Sequence, residues 1–465
     1  MNGVHHAGTS SPAAWRGRAA QPRPARATAR PFALDLGILL FTALAVVAAF
    51  AISPALLTHW KIQYVTAGGS FVEKLHPATY MVVAALGLAL LRDGNPVRGL
   101  VRMGAGSAAV PFYLVCWLFL LTQTILLQRP FTGIVDTFLL PLLLTLAVWQ
   151  TRPADRRSLA LLVHVLMLLN VAIGYYEFLS AQRIIPLTLG NVLVIGEWRS
   201  AALFGHPLVA SGLVAAYVLA LMLRPQLCPR RLVRLPLIAV CLGSLMAFGG
   251  RTALLTTLFI ITAGLVFELF RLLRGARVPL IAVIIGISVA FAAIIAVFGL
   301  LELGLFDKML LRFSDDKGSA MSRLAMLDLL GHLDWQEIIL GPAVSRANAL
   351  QNELGLDYGI ENFWIASIVQ FGLVHTILIT IGLAAFLGML MRRSSPAALA
   401  VLALMAVIAA SSVSFSSKNI QLAQFVILIT VLLPRDARSA AQAPARTHPA
   451  VQLRRAREAP AGGLP

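Results

Sequence analysis

Apolar stretches of up to about twenty residues recur along this chain, and arginines stand in the short segments between them. A helix needs about 20 apolar residues to cross a bilayer's hydrocarbon core, so each stretch reads as a candidate membrane span. Of the 465 residues only 12% are charged, where a soluble chain of this size carries about a quarter. The mean hydropathy is +0.82. The expected fold is all-α, a polytopic transmembrane helix bundle.

Twelve spans are predicted, near 33–53, 77–91, 108–127, 131–149, 158–179, 206–223, 232–248, 252–270, 278–301, 360–391, 397–415 and 419–433. The arginines orient them. With the amino terminus inside, the five short inside loops hold fifteen Lys and Arg residues and the five short outside loops hold seven. That bias is the one that places basic loops in the cytoplasm, so both termini are expected there. Residues 1–31 and 434–465 are rich in Ala, Arg and Pro, hold no apolar run, and read as disordered cytoplasmic tails. Helices one to nine then fill 32–301, and helices ten to twelve fill 360–433. Between them lies one large periplasmic loop, 302–359. With Glu361 at its border, this loop carries ten of the chain's twenty acidic residues. Its middle, "SAMSRLAMLDLLGHL", mixes apolar and charged positions as a helix lying on a membrane surface does.

The net charge of +18 does not point to nucleic acid. The arginines orient helices and form no continuous basic face. Cys116, Cys228 and Cys241 sit at no metal-like spacing. No phosphate-binding P-loop, dinucleotide fingerprint, zinc spacing or nucleophile elbow occurs, and neither cofactor nor metal is expected. Energy for chemistry on the outer side must therefore arrive stored in a substrate.

Four outer positions carry possible chemistry. Arg251 follows two glycines in "FGGRT", where the topology does not call for an arginine. It reads either as a side chain snorkelling to the interface or as an anion ligand beside glycines that let backbone amides approach. Arg199 stands just ahead of a helix that opens at His206-Pro207. His206 reads as that helix's cap or as a proton donor, and a helix amino terminus suits phosphate. Glu361 begins the tenth run. It reads as a first-turn carboxylate or as a base for a sugar hydroxyl. Asn362 and Trp364 beside it are candidate sugar contacts. Asp136 and Glu177, near outer helix ends, are weaker candidates, and His375 reads as a buried histidine.

The order and placement of "WRSAALFGHPLVASG", "FGGRTALL", the long outer loop with its "SRLAMLDLL", and "GIENFWIASIVQFGLV" resemble the O-antigen ligase and O-antigen/exopolysaccharide polymerase (Wzy-type) superfamily of bacterial inner-membrane proteins. The resemblance covers roughly residues 160–390. It implies glycosyl transfer at the periplasmic face from a glycan carried on undecaprenyl pyrophosphate, with a flippase and chain-length regulators as partner proteins. By this resemblance Arg199 and Arg251 hold the pyrophosphate, and Arg323 in the loop assists. Ligases of the family carry a histidine after the large loop, whereas this chain has Glu361-Asn362. That difference favours a polymerase over a lipid A-core ligase, with Glu361 as the base. A glycolipid flippase or exporter is the alternative of another class.

Overall fold

Proline and a side-chain acceptor open four of the helices. Ser53-Pro54, His76-Pro77, Asn95-Pro96 and His206-Pro207 each place a capping side chain on a backbone N–H two or three residues on. Proline costs nothing at the first helical position, where its missing N–H has no partner to lose. The computed structural model describes residues 32–66, 68–189, 192–193, 199–224, 231–275, 302, 319–356, 359–412, 415 and 417–435. Side chains at 188–189, 192–193, 231–232 and 319–323 are outside that description.

Among these residues six helices are long and apolar enough to cross a membrane. They are α1 (Phe32–Ala51), α5 (Ala109–Leu126), α6 (Thr132–Gln150), α7 (Arg156–Ser180), α10 (Arg251–Leu273) and α15 (Leu373–Arg393). Five shorter helices fall on further predicted runs: α3 (Pro77–Arg92), α8 (Pro207–Leu223), α9 (Arg231–Phe248), α16 (Ala398–Ser411) and α17 (Gln421–Leu432). The predicted ninth run, 278–301, and both tails lie outside the described residues. Short helices α2 (Pro54–His59) and α4 (Pro96–Ala105) occupy connections read as loops. Among the described residues the β-structure is a hairpin of two residues per strand, β1 (Thr188–Leu189) and β2 (Val192–Leu193), and an isolated bridge between Ser394 and Pro434.

One predicted boundary moves. The tenth run was expected to be continuous over 360–391, but it breaks at Gly372 into α14 (Phe363–Phe371) and α15. Gly372 has φ +83°, and a Cβ there would lie 2.5 Å from the Ile339 carbonyl oxygen and 2.6 Å from the Gly341 nitrogen. Two backbones cross at this point with room for glycine only. α14 consequently packs on the loop helices α11 (Ser319–Gly331), α12 (Trp335–Leu340) and α13 (Val344–Glu353), while its Phe363 and Phe371 stay in the main bundle core. Ala366 and Val369 of α14 share a small core with Met326, Leu329, Leu333 and Leu350, separate from the main bundle core.

The bundle has two chemically distinct ends. At one, Arg92 donates to Asp35 (2.9 Å) and to the Gln150 carbonyl (3.0 Å) and side chain (2.8 Å). Arg393 lies over the Trp149 ring, 4.1 Å from its centroid, and Arg224 donates to the Pro434 carbonyl. Here the start of α1 meets the last turns of α3, α6, α8 and α15. The opposite end collects the close of α1, α7 and α9, the openings of α3, α6, α8 and α10, and the loop helices. Hydrogen bonds tie these pieces together, among them His76 to Ile52 (2.7 Å) and Ser200 to Ala247 (3.0 Å).

Candidate functional site

All four positions singled out in sequence for chemistry lie at this second end. Arg199 precedes a segment fastened by one helix after another. Ser200 N–H donates to the Ala247 carbonyl at the close of α9, and Ser200 Oγ donates to the Gly174 carbonyl of α7 (2.7 Å). The Glu177 carboxylate, buried at the end of α7, accepts from Ala201 N and Ala202 N (both 2.9 Å) and from Ile184 N (3.0 Å). Leu203 N–H donates to Asn170 Oδ1 (3.0 Å). Ala202 is held at φ +50°, a left-handed conformation that favours glycine. Adjacent N–H groups there converge on one carboxylate oxygen.

Arg251 is the first residue of α10, after Gly249 at φ +63° and Gly250. A Cβ on Gly250 would collide with the Ser211 side chain of α8. The two glycines therefore serve the turn and the approach of α8. Because Ser200 bonds to Ala247, Arg199 and Arg251 flank a single backbone contact, one residue before it and four residues after it. Their backbones share one corner of the bundle. The Arg199 carbonyl accepts from the Arg183 guanidinium.

His206 is the cap of α8: its Nδ1 accepts from Leu208 N (3.2 Å). The cap reading of the sequence thus has a direct geometric basis, and the ring also borders a cavity described below. Asn362 is likewise a cap. Its Oδ1 accepts from Trp364 N (3.0 Å) and Ile365 N (3.1 Å), and its Nδ2 donates to the Ala410 carbonyl of α16 (3.2 Å). Trp364 is half-exposed and meets Phe363 edge-on. Glu361 immediately precedes this cap at the close of α16, and α16 packs in turn on α8 and α10. Through α16, the turn that carries Glu361 is connected to the two helices that open at the arginine corner. Arg323 falls within α11, and its side chain lies outside the described residues. His375 lies in the first turn of α15, well away from that corner in the chain.

Sequence reading gave little weight to a second cluster at the same end. Asp136, fully buried, accepts from Tyr64 Oη (2.9 Å), His76 N (3.0 Å) and Thr79 Oγ1 (2.6 Å). A π-helical turn at Val135–Leu139 carries it. Lys418 Nζ sits 3.9 Å from the Tyr64 ring centroid and donates to the carbonyls of Tyr64 (2.9 Å) and Lys74 (2.5 Å). Burial pushes the Lys418 ammonium down to about 8. Burial and the neighbouring Asp136 hold the Tyr64 phenol well above its usual range. A cavity of about 540 Å³ opens beside this cluster, bordered by Lys74, Arg129 and Lys418, and a second of about 310 Å³ adjoins it. No group of three His, Cys, Asp or Glu side chains among the described residues is placed to hold a metal ion.

His76 predicts a pH dependence. Its Nδ1 accepts from Ala78 N and its Nε2 meets the Ile52 carbonyl, so the neutral ring satisfies both neighbours. Burial lowers its pKa from 6.5 to about 4. Between those values the unfolded chain binds the extra proton, so folding stability falls as pH drops from 6.5 toward 4, by about 3 kcal/mol. Thermal melting across that range is expected to show the loss. His76→Asn, which keeps a capping side chain without a proton to gain, flattens it.

No protein-family model, curated protein or solved structure matches this chain. Fold and site therefore rest on the residues themselves.

Proposed function

We propose that this chain is a polysaccharide polymerase, a membrane glycosyltransferase of the bacterial inner membrane. It moves a glycan from undecaprenyl pyrophosphate onto an acceptor lipid-linked repeat unit. The observation that carries this reading is the Arg199–Arg251 corner, at the end opposite Arg92, Arg224 and Arg393. Twelve spans with the Arg92 end in the cytoplasm put both termini inside and the arginine corner and loop helices in the periplasm. Guanidinium groups pair with phosphate oxygens through two parallel hydrogen bonds, a geometry lysine lacks.

In the transfer, an acceptor hydroxyl oxygen attacks the anomeric carbon of the donor glycan. The bond from that carbon to the pyrophosphate oxygen breaks, and its electron pair leaves with undecaprenyl pyrophosphate. Arg199 and Arg251 stabilise the growing charge, with Arg323 assisting from the loop. Glu361 takes the hydroxyl proton. The lipid tail stays in the bilayer throughout, and the scheme calls on no metal or cofactor. A flippase would deliver the donor, and chain-length regulators would set product size.

The test is transfer in proteoliposomes supplied with lipid-linked repeat units from the native host. A ladder of longer glycans with release of undecaprenyl pyrophosphate is expected. Transfer only onto added lipid A-core makes the protein a ligase instead. Passage of the lipid-linked glycan across the bilayer with no new glycosidic bond makes it a flippase.

A further inference from the structure

The paired cavities around Lys418 carry a chemistry of their own. The larger is bordered by three cationic side chains, Lys74, Arg129 and Lys418, and no carboxylate borders it among the described residues. Asp136 lies behind this wall, buried and bonded to Tyr64, His76 and Thr79. Lys418 donates to two carbonyls and the Thr132 hydroxyl, and so contributes its field more than a free donor. Arg129 Nη2 donates to the carbonyls of Pro342 (3.2 Å) and Val369 (3.3 Å), while its buried Nε has no partner among the described residues.

The smaller cavity shares Val65, Thr66, Ser417 and Lys418 with the larger, so the two are neighbouring lobes. Gln421 borders it with only 1% of its surface exposed, and both atoms of its amide are unpartnered among the described residues. Gln424, 3% exposed, donates to the Ala49 carbonyl (2.6 Å) but leaves its own Oε1 unpartnered. A buried amide without hydrogen bonds is costly, and the two residues that carry this donor and these two acceptors border one small chamber. Alternating donors and acceptors match the hydroxyls of a sugar ring, and a basic lobe next door matches an acidic substituent. Combined, the lobes fall in the size range of small-molecule sites.

We propose that these lobes form a binding site for an acidic saccharide. Its carboxylate or phosphate lies against Lys74, Arg129 and Lys418, and its hydroxyl-bearing ring lies against Gln421 and Gln424. Neither Arg199 nor Arg251 borders the lobes, and the proposal does not depend on the transfer reaction.

Titration calorimetry on the full-length protein in detergent, with glucuronate, glucose 1-phosphate, glucose and inorganic phosphate as probes, tests this. One or both acidic sugars bind at least about tenfold tighter than glucose, the scale of one charge-assisted contact. Whichever binds better identifies a uronate or a sugar phosphate as the source of the charge. Arg129→Gln reduces acidic-sugar binding toward that of glucose. Gln421→Leu weakens every sugar while leaving phosphate binding unchanged. Should either variant fail to fold, the salt dependence of wild-type binding, steep for the acidic sugars and flat for glucose, stands in for it. Equal binding of glucose and the acidic sugars, or no binding of either acidic sugar, overturns the proposal. So does a Gln421→Leu protein with unaltered sugar binding, because the chamber would then hold only water.

Discussion

Arg251→Ala is expected to abolish polymer in the native host and to leave single lipid-linked repeat units accumulating. Arg251 opens α10 beside the segment that carries Arg199, and the proposed reaction places its charge on a leaving pyrophosphate. Removing one such preorganised donor costs on the order of 10²- to 10³-fold in rate. Arg251→Lys keeps the charge but loses the paired geometry, so a partial activity is expected, with shortened glycans. Surface polysaccharide and lipid-linked intermediates, analysed together, check both outcomes. Long lipid-linked chains in the alanine variant would identify a ligase step, and normal polymer would remove Arg251 from the chemistry.

Glu177→Ala is expected to lose activity to a similar degree for a different reason. Glu177 touches no proposed substrate. It accepts three backbone N–H groups, two of them in the segment that follows Arg199. Each N–H left buried without a partner costs about 1–3 kcal/mol. The left-handed Ala202 also loses the carboxylate that holds it there. A large drop in melting temperature should therefore accompany the loss of transfer. Glu177→Gln keeps an accepting oxygen and is expected to retain part of both. The distinguishing measurement is the pairing of the two effects: across Glu177→Ala and Glu177→Gln, activity and melting temperature should fall and recover together.

The six long apolar helices were legible because hydropathy alone specifies them, and His206 was legible as a cap because proline follows it. The role of Glu177 was not. Its three donors lie 7, 24 and 25 residues further along the chain, and nothing in "YYEFLS" announces them. The break at Gly372 was hidden by apolar sequence running through it, with the glycine itself as the single signal. Lys74, Arg129 and Lys418 counted in sequence only among the seven basic residues of the short outer loops. Only the folded chain brings 74, 129 and 418 to the wall of one cavity.

That break at Gly372 has a mechanical consequence. α15 has the length and apolarity to cross the bilayer unaided, so α14 need not span it and can pack on the loop helices as well as on the bundle. The arginines are fixed to the bundle, whereas the proposed base precedes a helix shared between the bundle core and the loop helices. Several contacts set its seat, among them the Asn362 amide on Ala410, the Arg129 guanidinium on the Pro342 and Val369 carbonyls, Phe363 and Phe371 in the bundle core, and the crossing of backbones at Gly341 and Gly372. The gap between base and leaving group thus depends on how the loop helices and α14 seat on the bundle. A single methyl group at Gly341 or Gly372 would alter it without touching either reactive side chain.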